Sequence, residues 1–236
     1  MALAWFFLVW AGYNLTVDRI LRRPMGLNQH LQLLRVLWMR NMIERGEHHR
    51  VIDGLLMGQL IQSVAFFAST TMLLLAALIG VMAAFSSNYD AIIGLSSIAA
   101  VPRELLELKI LLLTGIFIYA FFKFTWALRQ YNYCCALIGA APPLPVPPER
   151  RTLLAAQTAE VLSLAVTSFN GGLRAYYFAL AVLSWFVHPW LFIAVSTWML
   201  LVLLRRQLRS RTFEAIRTYS RKATQGEEDS RRGPGR

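Results

Sequence analysis

Lys123 stands inside an aromatic apolar run, FFKFTWALRQYNYCC (residues 121–135), and Glu160 inside a second, TLLAAQTAEVLSLAVTSF (residues 152–169). A charged side chain at membrane depth costs ~2.5 kcal/mol or more unless it is paired or hydrated, so an ammonium and a carboxylate there can neutralise each other or line a path for an ion or solute. Polar residues on neighbouring runs extend the set. Gln59, Gln62 and Ser63 recur along residues 55–85, and Gln157, Ser163 and Thr167 accompany Glu160. At ~1.5 Å per helical residue, Lys123 lies about 9 Å inside Arg129, Glu160 about 13 Å inside Arg151, and Gln59 about 9 Å beyond Asp53. The expectation is a polar layer of Gln59, Gln62, Ser63, Lys123, Gln157 and Glu160, with Lys123 paired to Glu160. A structural reading competes and carries more weight. The lysine stem can snorkel to the interface, and polar stripes join helices through hydrogen bonds of ~0.6–2 kcal/mol.

Other reactive side chains give weaker signals. His188 precedes Pro189 within an apolar run, where a kink would free a carbonyl for it. Arg174, beside Tyr176 and Tyr177, reads as an aromatic-belt anchor at the outer interface. Asn170, with Gly171 and Gly172, reads as a tight turn. ERGEHHRVID offers Glu44/His48 and His49/Asp53 at i,i+4 spacing, but the several Glu-x-x-His sets of a bundle metal site are absent, and a solvated charge run is the default. The adjacent Cys134 and Cys135 cannot form an ordinary disulfide and lack the spacing of a zinc or redox pair. No P-loop, dinucleotide fingerprint, nucleophile elbow or HExxH occurs. The sequence therefore points away from an enzyme and implies neither a cofactor nor a metal.

The elements that would hold these residues are apolar. The chain has 236 residues, 56% hydrophobic and 16% charged, where soluble domains carry about 25% charged. Spans are expected near residues 1–17, 55–85, 108–128 and 175–204, the last with a kink at Pro189. Arginines crowd residues 19–50, 129–151 and the tail, whereas residues 86–107 carry only Arg103. The positive-inside rule then puts the first and third connectors and the tail in the cytoplasm, which four crossings cannot achieve. A fifth crossing at residues 152–169, closed by a turn at Asn170–Gly172, restores the parity. The rival repair is a hairpin at His188–Pro189, with halves only about 21 Å long. The expected fold is an all-α, multi-span transmembrane helical bundle, five crossings favoured over four, with the N-terminus outside and the tail inside.

Residues 27–52 place Leu27, Leu31, Leu34, Trp38 and Met42 on one face and read as an interfacial amphipathic helix. APPLPVPP (141–148) reads as a stiff linker, and residues 205–236 as a basic, partly disordered cytoplasmic tail. The net charge of +11 flanks the apolar runs, which indicates the lipid bilayer and its anionic headgroups as partners rather than nucleic acid. Small residues Gly54, Gly58, Ala65 and Ala68 suit close helix approach, in a homo-oligomer or against another membrane protein.

The stretches RVIDGLLMGQLIQSVAFFASTTMLL, AFFKFTWALRQYNYCCALIGAAP and FNGGLRAYYFALAVLSWFVHPWLF resemble the bacterial membrane-protein family catalogued as domain of unknown function 599. The resemblance covers nearly the whole chain short of the tail. It implies a multi-pass protein of the bacterial inner (plasma) membrane and transfers no catalytic or binding residue. The leading functional expectation is a non-enzymatic structural or assembly component, and the alternative is a small ion or solute path through the polar layer.

Overall fold

A computed structural model describes residues 27–45, 50–93, 102–208 and 214–222. Five helices carry the architecture: α1 (Leu27–Arg45), α2 (Arg50–Ile93), α3 (Arg103–Gly139), α4 (Pro148–Val187) and α5 (Pro189–Leu208), with a short α6 at 214–222. No strand occurs among the described residues. Three stretches are long and apolar enough to cross a membrane, Arg50–Ala84, Arg103–Gly139 and Pro148–Val187, and they fit a membrane-embedded protein. The expected first span at residues 1–17 lies outside the described residues, as do His48 and His49.

Local chemistry sets the ends of the long helices. Pro102 caps α3, its carbonyl taking the N–H groups of Leu105 and Leu106, and Glu104 in the first turn complements the helix dipole. The residues after Gly139 include four prolines, Pro142, Pro143, Pro145 and Pro147, and the chain stays non-helical until Pro148. Pro148 can open α4 because the first helical position needs no N–H donor.

α3 and α4 run antiparallel as the central pair. Contacts at Cys134 with Thr158, Gln130 with Ser168 and Lys109 with Trp185 fix their register. α2 packs on α3, while α1 and α5 pack on α4. The centre is an aromatic knot in which Phe67 of α2 stacks on Phe124 of α3 at 5.6 Å and meets Phe169 and Tyr176 of α4 edge-on. Thr71 and Tyr176 share a 2.8 Å hydrogen bond beside it. Lipid tails are as apolar as these side chains, so close packing rather than burial from water must hold such helices together.

Three expectations are corrected. Asn170–Gly172 forms no turn, because α4 runs unbroken through it. The two glycines serve packing instead. A Cβ on Gly172 would lie 2.4 Å from Cε1 of the fully buried Phe124, so the bare backbone is the notch that receives this ring. Residues 152–169 and the first part of 175–204 are thus one helix. The break falls at His188, whose φ of −157° and ψ of 140° are extended. Proline pushes its preceding residue out of the helical region and cannot donate its own N–H, so Pro189 ends one helix and starts the next rather than kinking one.

Two further boundaries move. The amphipathic segment ends at Arg45, and Val51 and Ile52 belong to α2. Its buried residues, Met39, Met42 and Ile43, pack into the core that α4 also lines. Part of the tail is helical, and Ser220 of α6, 2% exposed, shares a 2.9 Å hydrogen bond with Nδ1 of His30 on α1.

Candidate functional site

The expected polar layer is not brought together. Gln59, Gln62, Ser63, Gln157 and Glu160 are exposed, and the hydroxyl of Ser63 donates to the carbonyl of Gln59 on its own helix. Lys123 is half-buried and makes no ion pair with Glu160. α3 continues ten residues past Arg129, so Arg129 does not mark the helix end from which depth was counted. In the actual register Lys123 faces Gly171, eleven residues and about 16 Å along α4 from Glu160.

A different pair of charges meets at that level. Cδ and Cε of Lys123 lie 3.4 and 3.6 Å from the point where a Cβ on Gly171 would stand, and Nη2 of Arg174 lies 3.7 Å from the same point. Arg174 is therefore placed beside Lys123, between α3 and α4. Its Nε is buried and has no hydrogen-bond partner among the described residues. Lys123 Nζ lies 5.6 Å from the ring centroid of Tyr119. Asn170 is exposed, one helical turn from Arg174.

Two turns of α3 further on, Gln130 is buried against α4. Its amide is satisfied with the NH2 on Leu164 O (3.2 Å) and Ser168 Oγ (2.8 Å) and the oxygen on Trp126 Nε1 (3.2 Å). This is interhelical glue with every group paired.

At the other end of the α3–α4 pair, Lys109 is 3% exposed and donates from Nζ to Trp185 O at 3.0 Å. The helical donor for that carbonyl would be the N–H of residue 189, which proline lacks. Lys109 supplies the missing donor, stacks over Trp185 at 5.1 Å, and brings positive charge to a helix C-terminus. Its burial against α4 sets it apart from a lysine that merely anchors a helix at the interface. His188 becomes a cap: its Nδ1 accepts from the backbone N–H of Trp190 at 3.2 Å, near the start of α5.

Around the junction of α1, α2 and the 140–147 connector, a group of ion pairs clasps the bundle. Asp53, 1% exposed, accepts from both Arg45 (2.9 and 3.1 Å) and Trp38 Nε1 (2.6 Å). Glu44 accepts from Arg40 on its own helix (3.1 Å) and from Arg151 of α4 (2.9 Å). Arg50 reaches the carbonyls of Ala141 (2.8 Å) and Pro142 (3.0 Å). Burial pushes the Glu44 carboxyl up, but the hydrogen bonds and charges of Arg151 and Arg40 outweigh it and hold it below the usual carboxylate range. Arg35, turned toward α4, donates to Ser163 Oγ at 3.0 Å, and burial lowers its pKa from the ordinary value. Glu44 and Asp53 thus have arginines as partners.

The Arg151–Glu44 and Arg50–connector contacts of the clasp and the Lys109 contact were missed in the sequence because each joins residues far apart in the chain. A signal existed for one of them: a proline inside an apolar run orphans a carbonyl, and a lone lysine in a neighbouring run is a natural donor for it.

Residues 1–212 match the family model described as a protein of unknown function, DUF599. Searches of curated proteins and of solved structures found no match.

Proposed function

The chain belongs to the DUF599 family of proteins of unknown function, and we propose that it acts there as a non-enzymatic, multi-pass structural or assembly component of the bacterial inner membrane. The observation that carries this reading is the uneven use of surface. Within its apolar window α2 is only 17% buried, against 39% for α3 and 33% for α4. Leu55, Phe66, Met72, Leu73 and Ile79 all stand outward on it, each at least 60% exposed. Such a face suits lipid on one side and a second helix on the other. Gly54 and Gly58, with nothing within 4 Å of a notional Cβ, would admit a close neighbour.

The basic ends support contact with anionic headgroups and a cytoplasmic tail. A solute path through Gln59, Gln62, Lys123 and Glu160 loses its support, since these residues do not converge. Chemical cross-linking in native membranes tests the reading, with Gly58→Cys as the reporter in a chain whose own cysteines are replaced. Cross-linked dimers or a discrete hetero-complex are expected. A chain that stays monomeric in mild detergent and gives no cross-link from either Gly54→Cys or Gly58→Cys would contradict it.

A further inference from the structure

We propose that Lys123 and Arg174 form a binding site for a phosphate group, seated beside Gly171 between α3 and α4. A lysine from one long helix and an arginine from the next converge within 4 Å of the same bare backbone position. Nε of Arg174 is buried with no acceptor among the described residues. The ion pairs among the described residues are Arg40–Glu44, Arg45–Asp53, Arg103–Glu107 and Arg151–Glu44, and none reaches Lys123 or Arg174. Nε of Arg50 and of Arg151 is orphaned in the same way, but their other guanidinium nitrogens have acceptors, the carbonyls of Ala141 and Pro142 for Arg50 and Glu44 and Val146 O for Arg151, whereas Arg174 has none among the described residues. At Gly171 the lysine stem and the guanidinium meet with no carboxylate paired to either among the described residues.

An anion at the open side of this partly buried pair supplies the counter-charge that the described residues do not. The planar guanidinium fork matches two oxygens of a phosphate, and the ammonium adds a point charge from the opposite helix. Two full positive charges match a phosphate better than a single carboxylate. Gly171 is buried under the lysine stem, and exposed Asn170 places an amide on the Arg174 face. Both cations are half-buried, so the site has one open side and a lower dielectric than bulk water. A free phosphate and a phospholipid headgroup share this chemistry. The inference needs only the α3–α4 register and stands apart from the assembly role.

The test uses the full chain in phosphatidylcholine nanodiscs, with thermal unfolding followed by intrinsic tryptophan fluorescence. Inorganic phosphate is titrated in one arm, and phosphatidylglycerol replaces part of the lipid in the other. A ligand that binds the native state raises the unfolding midpoint saturably. A rise with phosphate identifies a free anion, and a rise with phosphatidylglycerol alone identifies a headgroup. In either case Lys123→Gln and Arg174→Gln should weaken the response about tenfold or more. Arg174→Lys keeps the charge and Gly171→Leu keeps both cations, and each should weaken binding in a chain that still melts cooperatively. The proposal is overturned if neither ligand moves the wild-type midpoint. It is equally overturned if all four variants respond like the wild type, which would mark diffuse surface charge.

Discussion

Lys109 Nζ sits 3.0 Å from Trp185 O, the one carbonyl whose helical donor would have been the missing N–H of Pro189. The proline and the lysine are thus two halves of a single device, 80 residues apart in the chain, that ends α4 without leaving a buried acceptor unpaired. Lys109→Met should cost about 1–2 kcal/mol, the range for hydrogen bonds between membrane helices. Pro189→Ala restores an N–H, so in that background the same substitution should cost far less. A double-mutant cycle read by unfolding in mixed micelles checks this, and additive losses would refute the pairing.

Neighbouring glycines should behave differently. Gly172→Ala drives a Cβ to 2.4 Å from the Phe124 ring, which Phe67, Phe169 and Tyr176 hold on other sides. Overpacking of this kind costs about 1–3 kcal/mol. Gly171→Ala meets Lys123 at an ordinary 3.4 Å and should be nearly neutral or slightly stabilising. The contrast is readable from the unfolding midpoints of the two variants. Equal effects would argue against the notch.

Acid should loosen the clasp between α1 and α4. The folded Glu44 carboxyl is held below its ordinary value of 4.5 by Arg151 and Arg40 after burial has pushed it the other way. Its contribution to stability is therefore fully present above pH ~4.5 and disappears as pH falls through the folded value. The Glu44 side chain is 34% exposed, so solvent screening keeps the effect below about 1 kcal/mol. Stability measured between pH 7 and pH 3 should fall in the wild type, and Glu44→Gln should remove this component of the slope.

Asp53 should matter more. It is 1% exposed and accepts from two side chains, so Asp53→Ala leaves Trp38 Nε1 without its acceptor and Arg45 without its partner. A loss of about 2–3 kcal/mol is expected in unfolding experiments, since hydrogen bonds to charged groups are the stronger class. Arg45 is 42% exposed and can turn to water, so Arg45→Ala should cost less than Asp53→Ala.

The sequence exposed the apolar stretches of α2, α3 and α4, the helical character of residues 27–45 and the disruption at Pro189, because hydrophobic runs and proline act locally. It did not expose register. Asn170–Gly172 carries the composition of a turn, yet glycine also permits close approach, and only Phe124 on another helix decides between the two. Arg129 resembled a helix boundary, but α3 extends through Gly139, and that extension separates Lys123 from Glu160. The pairing of Lys123 with Arg174 depends on the same register. Arg174 read as an interface anchor only while a turn was placed just before it.

Continuity of α4 through Asn170–Gly172 underlies the register, the Phe124 notch and the Lys123–Arg174 site alike. The direct measurement is a spin-label distance between Leu164→Cys and Leu180→Cys, both exposed positions on α4, in a chain with Cys134 and Cys135 replaced. An unbroken helix separates them by sixteen residues, about 24 Å along the axis. A turn at Asn170–Gly172 would fold the two halves together and bring the labelled backbones to roughly 10 Å, the spacing of packed helices. A single distribution near the longer distance is the expected result, and one near the shorter would contradict the account.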